Sequence, residues 1–184
     1  PTNAFLTEDS MRLSENWFPL SVLVCHQCWL VQTEDTVDAN VLFNKDYAYF
    51  SGISSSWLDH SKQYVFEMVE RFKLSAESHV IEVAANDGYL LQYFQELGVP
   101  CTGVEPTAST AAEAREKGLD IIEDFFGVRL ANILLENGKQ ADLMTANNVL
   151  AHVPDINDFV SGFALMLKEQ GVSTFEFPSL LKLL

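Results

Sequence analysis

Basic residues are scarce in this chain: 11 lysines and arginines stand against 26 aspartates and glutamates, a formal net charge of −15 over 184 residues. A surface field of that sign repels the phosphates of nucleic acids and anionic lipids, so no nucleic acid and no membrane is expected as a partner. Cysteine is scarce as well. Cys25, Cys28 and Cys101 are an odd set, which argues against a secreted disulfide framework. No apolar run approaches the roughly 20 residues of a membrane helix, and the polar start lacks the basic-then-apolar order of a signal peptide. A cytoplasmic setting is the expectation. No internal repeat or low-complexity segment is found. What remains is 48% apolar, enough to close the core of one ordinary domain with a small appendage. The abrupt start at Pro1 and the finish on Leu180, Leu181, Leu183 and Leu184 read as the ends of a fragment of a longer protein.

Residues 1–46 are mixed in pattern. The run Leu20-Ser21-Val22-Leu23-Val24 enters Cys25-His26-Gln27-Cys28 and then Leu30-Val31-Gln32, a small hairpin-bearing module. Residues 47–56 are aromatic and serine-rich, and Ser54, Ser55 and Ser56 offer N-caps for a helix over Trp57–Phe72 whose apolar residues recur at three-to-four spacing. From His79 onward strand, loop and helix alternate, the signature of a parallel α/β sheet. Strands are expected at 79–83, 102–105, 120–122, 141–145 and 172–176, and helices at 89–97, 110–117, 128–136 and 156–168. Residues 47–184 therefore read as one doubly wound, Rossmann-like domain that stops after its fifth strand.

The strongest constellation joins the first of these strands to an acid ending the second. In doubly wound folds the loop after strand one approaches a nucleotide-type cofactor closely and needs residues that are small or tolerate unusual backbone angles. Ala84, Ala85, Asn86 and Gly88 meet that demand, and Asn86 and Asp87 tolerate left-handed geometry or cap a helix. Glu105 lies 17 residues beyond Gly88, where a carboxylate accepts both ribose hydroxyls. A pyrophosphate cofactor favours G-x-G-x-x-G, and this loop is poor in glycine and flanked by acids. S-adenosylmethionine carries a sulfonium and an ammonium, which Glu82 and Asp87 tolerate or favour. The same small residues also suit a tight strand-to-helix turn that binds nothing.

Taken together, Cys25-His26-Gln27-Cys28, Tyr47-Ala48-Tyr49, Glu82 to Leu91, Gly103-Val104-Glu105-Pro106, Asp124-Phe125-Phe126, the Ala146 to Pro154 stretch and Phe175-Glu176-Phe177-Pro178 resemble the bacterial sugar C-methyltransferases that carry an N-terminal zinc-binding module. These act on nucleotide-linked deoxy-keto-sugars, and the resemblance spans nearly the whole chain. It implies a class I methyltransferase fold with S-adenosylmethionine as cofactor. Glu82, Ala84, Asn86, Asp87 and Gly88 would form the cofactor loop, with Ala84 and Asn86 where two glycines are usual. Glu105, followed by Pro106, would take the ribose hydroxyls, Asp124 and Phe125 would flank adenine, and Asn147 and Asn148, with His152 nearby, would face the methionine end. Phe125 and Phe126 serve equally as core packing, and His152 as a hydrogen-bonded turn residue.

The resemblance also implies a tyrosine in the active site, here Tyr49, whose phenol would bond the sugar's keto or enolate oxygen; packing of Tyr47, Tyr49 and Phe50 against the core is the other reading. Cys25 and Cys28 have zinc-knuckle spacing. The family's second Cys-x-x-Cys has no counterpart before Cys25, where neither cysteine nor histidine occurs. Zinc is therefore an expectation for the full-length protein. Cys101 reads as buried filler. The base that removes the proton next to the ketone is implied beyond Leu184, so this chain alone is expected to bind cofactor without transferring methyl groups. Exposed sheet surface would favour a homo-oligomer. Two rival readings stay open: an NAD(P)-dependent Rossmann oxidoreductase, and a non-catalytic module that keeps the fold only to associate with a partner.

Overall fold

The structure, a computed structural model, describes residues 8–12, 14, 18–34, 37–43, 47–179 and 182. The leucines at 180, 181, 183 and 184 and the segment boundary at Asp46 read from the sequence lie outside them. The chain divides into two compact units, Pro1–Ala48 and Tyr49–Leu184. None of its described helices is long and apolar enough to cross a membrane.

In the first unit, strands β1 (Val22–Val24) and β2 (Val31–Thr33) pair antiparallel, with Val24 opposite Val31, and helix α1 (Ala39–Leu42) follows. The connection is tight because Trp29 takes a left-handed backbone (φ 62°), so that its amide reaches the Cys25 carbonyl (3.0 Å) while the Cys25 amide reaches that of Leu30 (2.9 Å). The turn therefore holds both cysteines of the spacing read from the sequence.

The second unit opens with helix α2 (Ser55–Phe72), capped by the Ser54 hydroxyl, which accepts the Trp57 amide, and closed at left-handed Lys73. It begins two residues before the expected start because Ser54, rather than Ser56, is the cap. There follow β3 (Val80–Val83), α3 (Leu91–Glu96), β4 (Cys101–Val104), α4 (Ala108–Glu116), β5 (Asp120–Ile122), α5 (Val128–Glu136), β6 (Ala141–Asn147), α6 (Ile156–Met166) and β7 (Leu167–Glu176). The five strands form one parallel sheet in the order β5-β4-β3-β6-β7. Two boundaries depart from the sequence reading. Helix α3 starts at Leu91 instead of Tyr89, because Gly88 turns left-handed and Tyr89 is drawn into the core. Strand β7 takes Leu167 and Lys168 from the expected end of α6, pairing Leu167 with Ala141 before a bulge restores the Leu143–Val172 register.

Alternation along the central strands separates the two cores. Val80 and Leu143 point to one face, beneath Val65 and Met68 of α2, Leu91 and Phe94 of α3 and Ala111 and Ala114 of α4. Ile81, Val83, Met144 and Ala146 point to the other, beneath Leu130 and Leu134 of α5 and Phe159, Phe163 and Met166 of α6. By the same period of two, Glu82 points to the α2–α3 face.

At the opposite end of β3, the His79 amide donates to Asp142 Oδ2 (2.7 Å), and its ring contacts the Gln140 carbonyl and the Thr102 hydroxyl. Burial pushes the His79 imidazole below its ordinary 6.5. The unfolded chain therefore takes up the proton first as pH falls, and the contribution of His79 to stability, full above 6.5, is lost as pH drops through the window below it. Urea unfolding at pH 7.5 and 5.5 should show the parent chain losing more stability than His79→Asn, by about a few tenths of a kcal/mol after allowance for solvent screening. Equal losses would remove His79 as the cause.

Candidate active site

The strand order reverses between β3 and β6: connections from β3 lead first toward β4 and later toward β6. Such a switch point opens a crevice at the carboxyl ends of the strands, where doubly wound folds bind ligands. The loop leaving β3 has three residues in left-handed geometry, Ala84 (φ 60°), Asn86 (φ 50°) and Gly88 (φ 75°). Only the last is a glycine. A side chain at Gly88 would also press on the tip of the Leu119 side chain, so both backbone and space favour glycine there. The loop is held close to β4, since the amides of Ala84 and Ala85 both reach the Val104 carbonyl.

Glu105 is buried, and its carboxylate accepts the Asn86 amide through Oε2 and the Thr107 amide through Oε1, each at 2.9 Å. It fixes the β3 loop and the entry to α4 together. The side chains of Asn86 and Asp87 turn toward residues 49–52. Asn86 Oδ1 accepts the Ser51 amide (2.8 Å), Asn86 Nδ2 donates to the Tyr49 carbonyl (3.0 Å), and both Asp87 oxygens accept the Gly52 amide (3.2 and 3.0 Å). Lys117 lies 3.5 Å from the Asp87 carboxylate and donates to its backbone carbonyl. Two residues assigned to cofactor from the sequence thus seat the segment carrying Tyr49, a use visible only once the fold brings positions 37 and 35 residues apart together.

Glu82 is fully buried, and among the described residues neither carboxylate oxygen has a well-formed hydrogen bond, although the Tyr89 hydroxyl stands close enough to favour its charged form. Burial pushes its pKa well above 4.5, and the nearby charges of Glu105 and Asp87 push the same way, against the Tyr89 hydroxyl. Tyr89 is itself buried, its pKa raised well above 10 first by burial and then by Glu82, and its hydroxyl accepts from Asn147 Nδ2 at 3.3 Å. Glu82 lies beside Thr145, and Thr145 beside Thr174, in parallel register. The Tyr64 hydroxyl bonds Thr174 Oγ1 at 2.6 Å. Tyr64 and Tyr89 went unnoticed in the sequence because helical spacing accounts for the one and a helix start for the other.

The remaining predicted positions are farther out. Asp124 accepts the Phe125 amide and pairs with Arg129, while Phe125 is 37% exposed. Phe126 packs edge-on against Phe159 and Phe163, as an ordinary core residue. Pro106 follows Glu105, half-buried, before α4. Asn148 is left-handed (φ 55°), its amide bonded to the Glu176 carbonyl, and His152 is exposed in a short 3-10 turn. Tyr49 is 49% exposed. In the first unit Cys25 Sγ accepts the Gln27 amide (3.4 Å), and amide donors, first that of Cys28, hold the Cys25 thiol below its ordinary value. Cys28 is exposed, and no group of three potential metal ligands gathers among the described residues.

Residues 81–173 match the family model described as "Methyltransferase domain". The chain belongs to this family. Residues 1–43, ahead of the methyltransferase domain, match a second model, described as "Putative zinc binding domain". Among curated relatives, the chain is 31% identical over 170 residues to the C-methyltransferase NovU of Streptomyces niveus, covering 92% of this chain and 40% of that one. It is 24% identical over 134 residues to a ubiquinone biosynthesis O-methyltransferase of Bordetella avium, covering 66% of this chain and 56% of that one. The chain thus spans about half the length of these relatives or less. The methyltransferase domain superimposes on a Clostridium acetobutylicum S-adenosylmethionine-dependent methyltransferase with TM-score 0.51 at 18% identity, over 64% of this chain and 49% of that one. It also superimposes on the glycopeptide N-methyltransferase MtfA, solved with sinefungin, with TM-score 0.50 at 15% identity, over 62% and 53%. These structures establish the fold, an α/β class I methyltransferase sheet.

Proposed function

We propose that the chain is the cofactor-binding part of an S-adenosylmethionine-dependent methyltransferase. One observation carries this reading: a fully buried carboxylate, Glu82, with no well-formed hydrogen bond to either oxygen among the described residues, at the switch point of the sheet. Leaving such a group unmatched is costly, and a cation restores the balance where a phosphate would worsen it. The ammonium of S-adenosylmethionine supplies that cation, which favours this cofactor over NAD. When bound, it presents a sulfonium-activated methyl group. Glu82 holds the methionine end with Asn147 and Asn148, while left-handed Ala84, Asn86 and Gly88 bring the backbone close. Asp87 shapes the same loop. Glu105, followed by Pro106, keeps lone pairs for the ribose hydroxyls beyond its two amide bonds, and Asp124 and Phe125 border the adenine.

The substrate is a nucleotide-linked deoxy-keto-sugar methylated at carbon. The similarity to NovU over most of this chain supports this, as does a half-exposed phenol, Tyr49, on a segment fastened to the cofactor loop. Residues 47–184 form the methyltransferase part, and residues 1–46 part of a zinc module in which Cys25 and Cys28 supply two of the four ligands. Those two thiols fit half a tetrahedral site, and no catalytic step depends on them.

Calorimetric titration with S-adenosylmethionine and NAD tests the cofactor assignment. Binding of S-adenosylmethionine alone is expected, weakened roughly 10- to 100-fold by Glu105→Ala through loss of charge-assisted bonds. Preferential binding of NAD, or unchanged affinity in the variant, would overturn it.

A further inference from the structure

Among the described residues, the segment that carries Tyr49 is fastened to the β3 loop by side chains. Asn86 takes two of its backbone groups at once: Oδ1 accepts the Ser51 amide at 2.8 Å, and Nδ2 donates to the Tyr49 carbonyl at 3.0 Å. A side-chain amide, with an acceptor and donors on one plane, grips a stretch of chain here as a neighbouring strand would. Phe50, between the two bonded residues, is extended (φ −113°, ψ 117°), and Ser51 is buried. Tyr49 and Ile53 on either side are exposed. A short segment held by so few bonds, with exposed residues at both ends, opens at small cost.

The backbone of Asn86 serves the opposite side. It is left-handed (φ 50°), a geometry that asparagine tolerates and that its surroundings must hold. Glu105 holds it, through Oε2 on the Asn86 amide at 2.9 Å, while Oε1 takes the Thr107 amide. Glu105 is also the carboxylate assigned above to the ribose hydroxyls. Asn86 therefore has its amide on the group that meets the cofactor and its side chain on the segment that carries Tyr49. Asp87 ties Gly52 from the next position but pairs with Lys117 instead of Glu105, so it lacks the first of these links.

We propose that Asn86 is a positioning residue that makes the placement of Tyr49 depend on the cofactor. This rests on the methyltransferase reading above. Ribose hydroxyls fix the Glu105 carboxylate, the carboxylate fixes the Asn86 amide, and the Asn86 side chain closes on Tyr49 and Ser51. The cofactor thereby shifts the segment toward its fastened arrangement. Linkage makes the effect reciprocal: an acceptor gripped by Tyr49 raises the affinity for cofactor by the same factor.

Hydrogen exchange of the Ser51 amide, followed by NMR on the whole chain with and without saturating S-adenosylmethionine, tests the proposal. The cofactor should slow exchange of this amide about tenfold in the parent. Asn86→Gly keeps the left-handed backbone and its amide on Glu105 and removes only the side chain. In that variant the Ser51 amide should exchange fast, and saturating cofactor should leave its rate unchanged. Asn86→Asp, which keeps an acceptor for the Ser51 amide, should recover the response. A residue that only supported the fold would change Ser51 exchange equally with and without cofactor. Ser51 exchange that ignores bound cofactor in the parent, or cofactor-dependent slowing that survives in Asn86→Gly, would overturn the proposal. Calorimetry on the same samples separates the two readings: a parent chain that binds no S-adenosylmethionine overturns the cofactor assignment and this coupling with it, whereas binding without the Ser51 response overturns the coupling alone.

Discussion

Replacing Glu82 by glutamine is expected to stabilise the ligand-free chain while weakening S-adenosylmethionine binding about 100-fold. The two effects share one cause. A fully buried carboxylate with no well-formed hydrogen bond among the described residues opposes folding once ionised, and the isosteric amide removes that charge. Because the folded pKa is raised above 4.5, the native chain holds the proton that the unfolded chain has released, and stability is lost as pH rises from 4.5 through the folded value. The advantage of the glutamine variant should therefore grow with pH, reaching about 1–3 kcal/mol at pH 8. Denaturant unfolding at pH 5 and 8 gives the first number, and calorimetry gives the second. A variant less stable than the parent at pH 8 would mean that Glu82 has an internal partner and is not waiting for a cation.

Asp87→Ala should cost roughly 2–4 kcal/mol, a large effect for a residue outside the hydrophobic core. The substitution strips the Gly52 amide of both acceptor oxygens and leaves Lys117 facing the site without its counter-charge. The loss should concentrate at residues 49–52. Limited proteolysis is expected to cut there faster in the variant, with cleavage elsewhere in the second unit little changed. Gly52→Ala should reproduce the pattern, since its new methyl group would stand 2.4 Å from Asp87 Oδ2. Uniformly faster cleavage in both variants would show that Asp87 supports the fold at large instead of this segment.

Much of the sheet was legible in the sequence because its strands are short, apolar and separated by helices whose ends carry glycine: Gly98, Gly118 and Gly138 each sit left-handed just after a helix. The reading erred where local pattern and tertiary demand diverged. Tyr89 has the size and spacing of a helix residue, yet a hydrogen bond to Asn147, 58 positions away, keeps it outside. Leu167 and Lys168 continue the helical pattern of α6, yet edge pairing with Ala141 claims them for β7. Within the site, spacing put Glu105 at the end of the second strand as a ligand for ribose hydroxyls, and did not show that its carboxylate would hold the Asn86 and Thr107 amides. It did not foretell that Asn86 and Asp87 would spend their side chains on residues 49–52, nor that His60 would meet Glu176, because contacts of that range depend on the twist of the whole sheet.

The charge balance also bears on the order in which ligands arrive. Arg71, Arg115, Lys117, Arg129, Lys139 and Lys168, six of the 11 basic side chains, each lie within 4 Å of a carboxylate, and the net charge of −15 sets the distant field. Such a field accelerates the approach of a positively charged small molecule and retards that of a diphosphate, each effect fading as salt shortens the screening length to about 10 Å at 0.1 M. On the proposed pairing of ligands, encounter kinetics favour the methyl donor. The nucleotide-linked acceptor would then meet a chain that already carries the positive charge of the methyl donor.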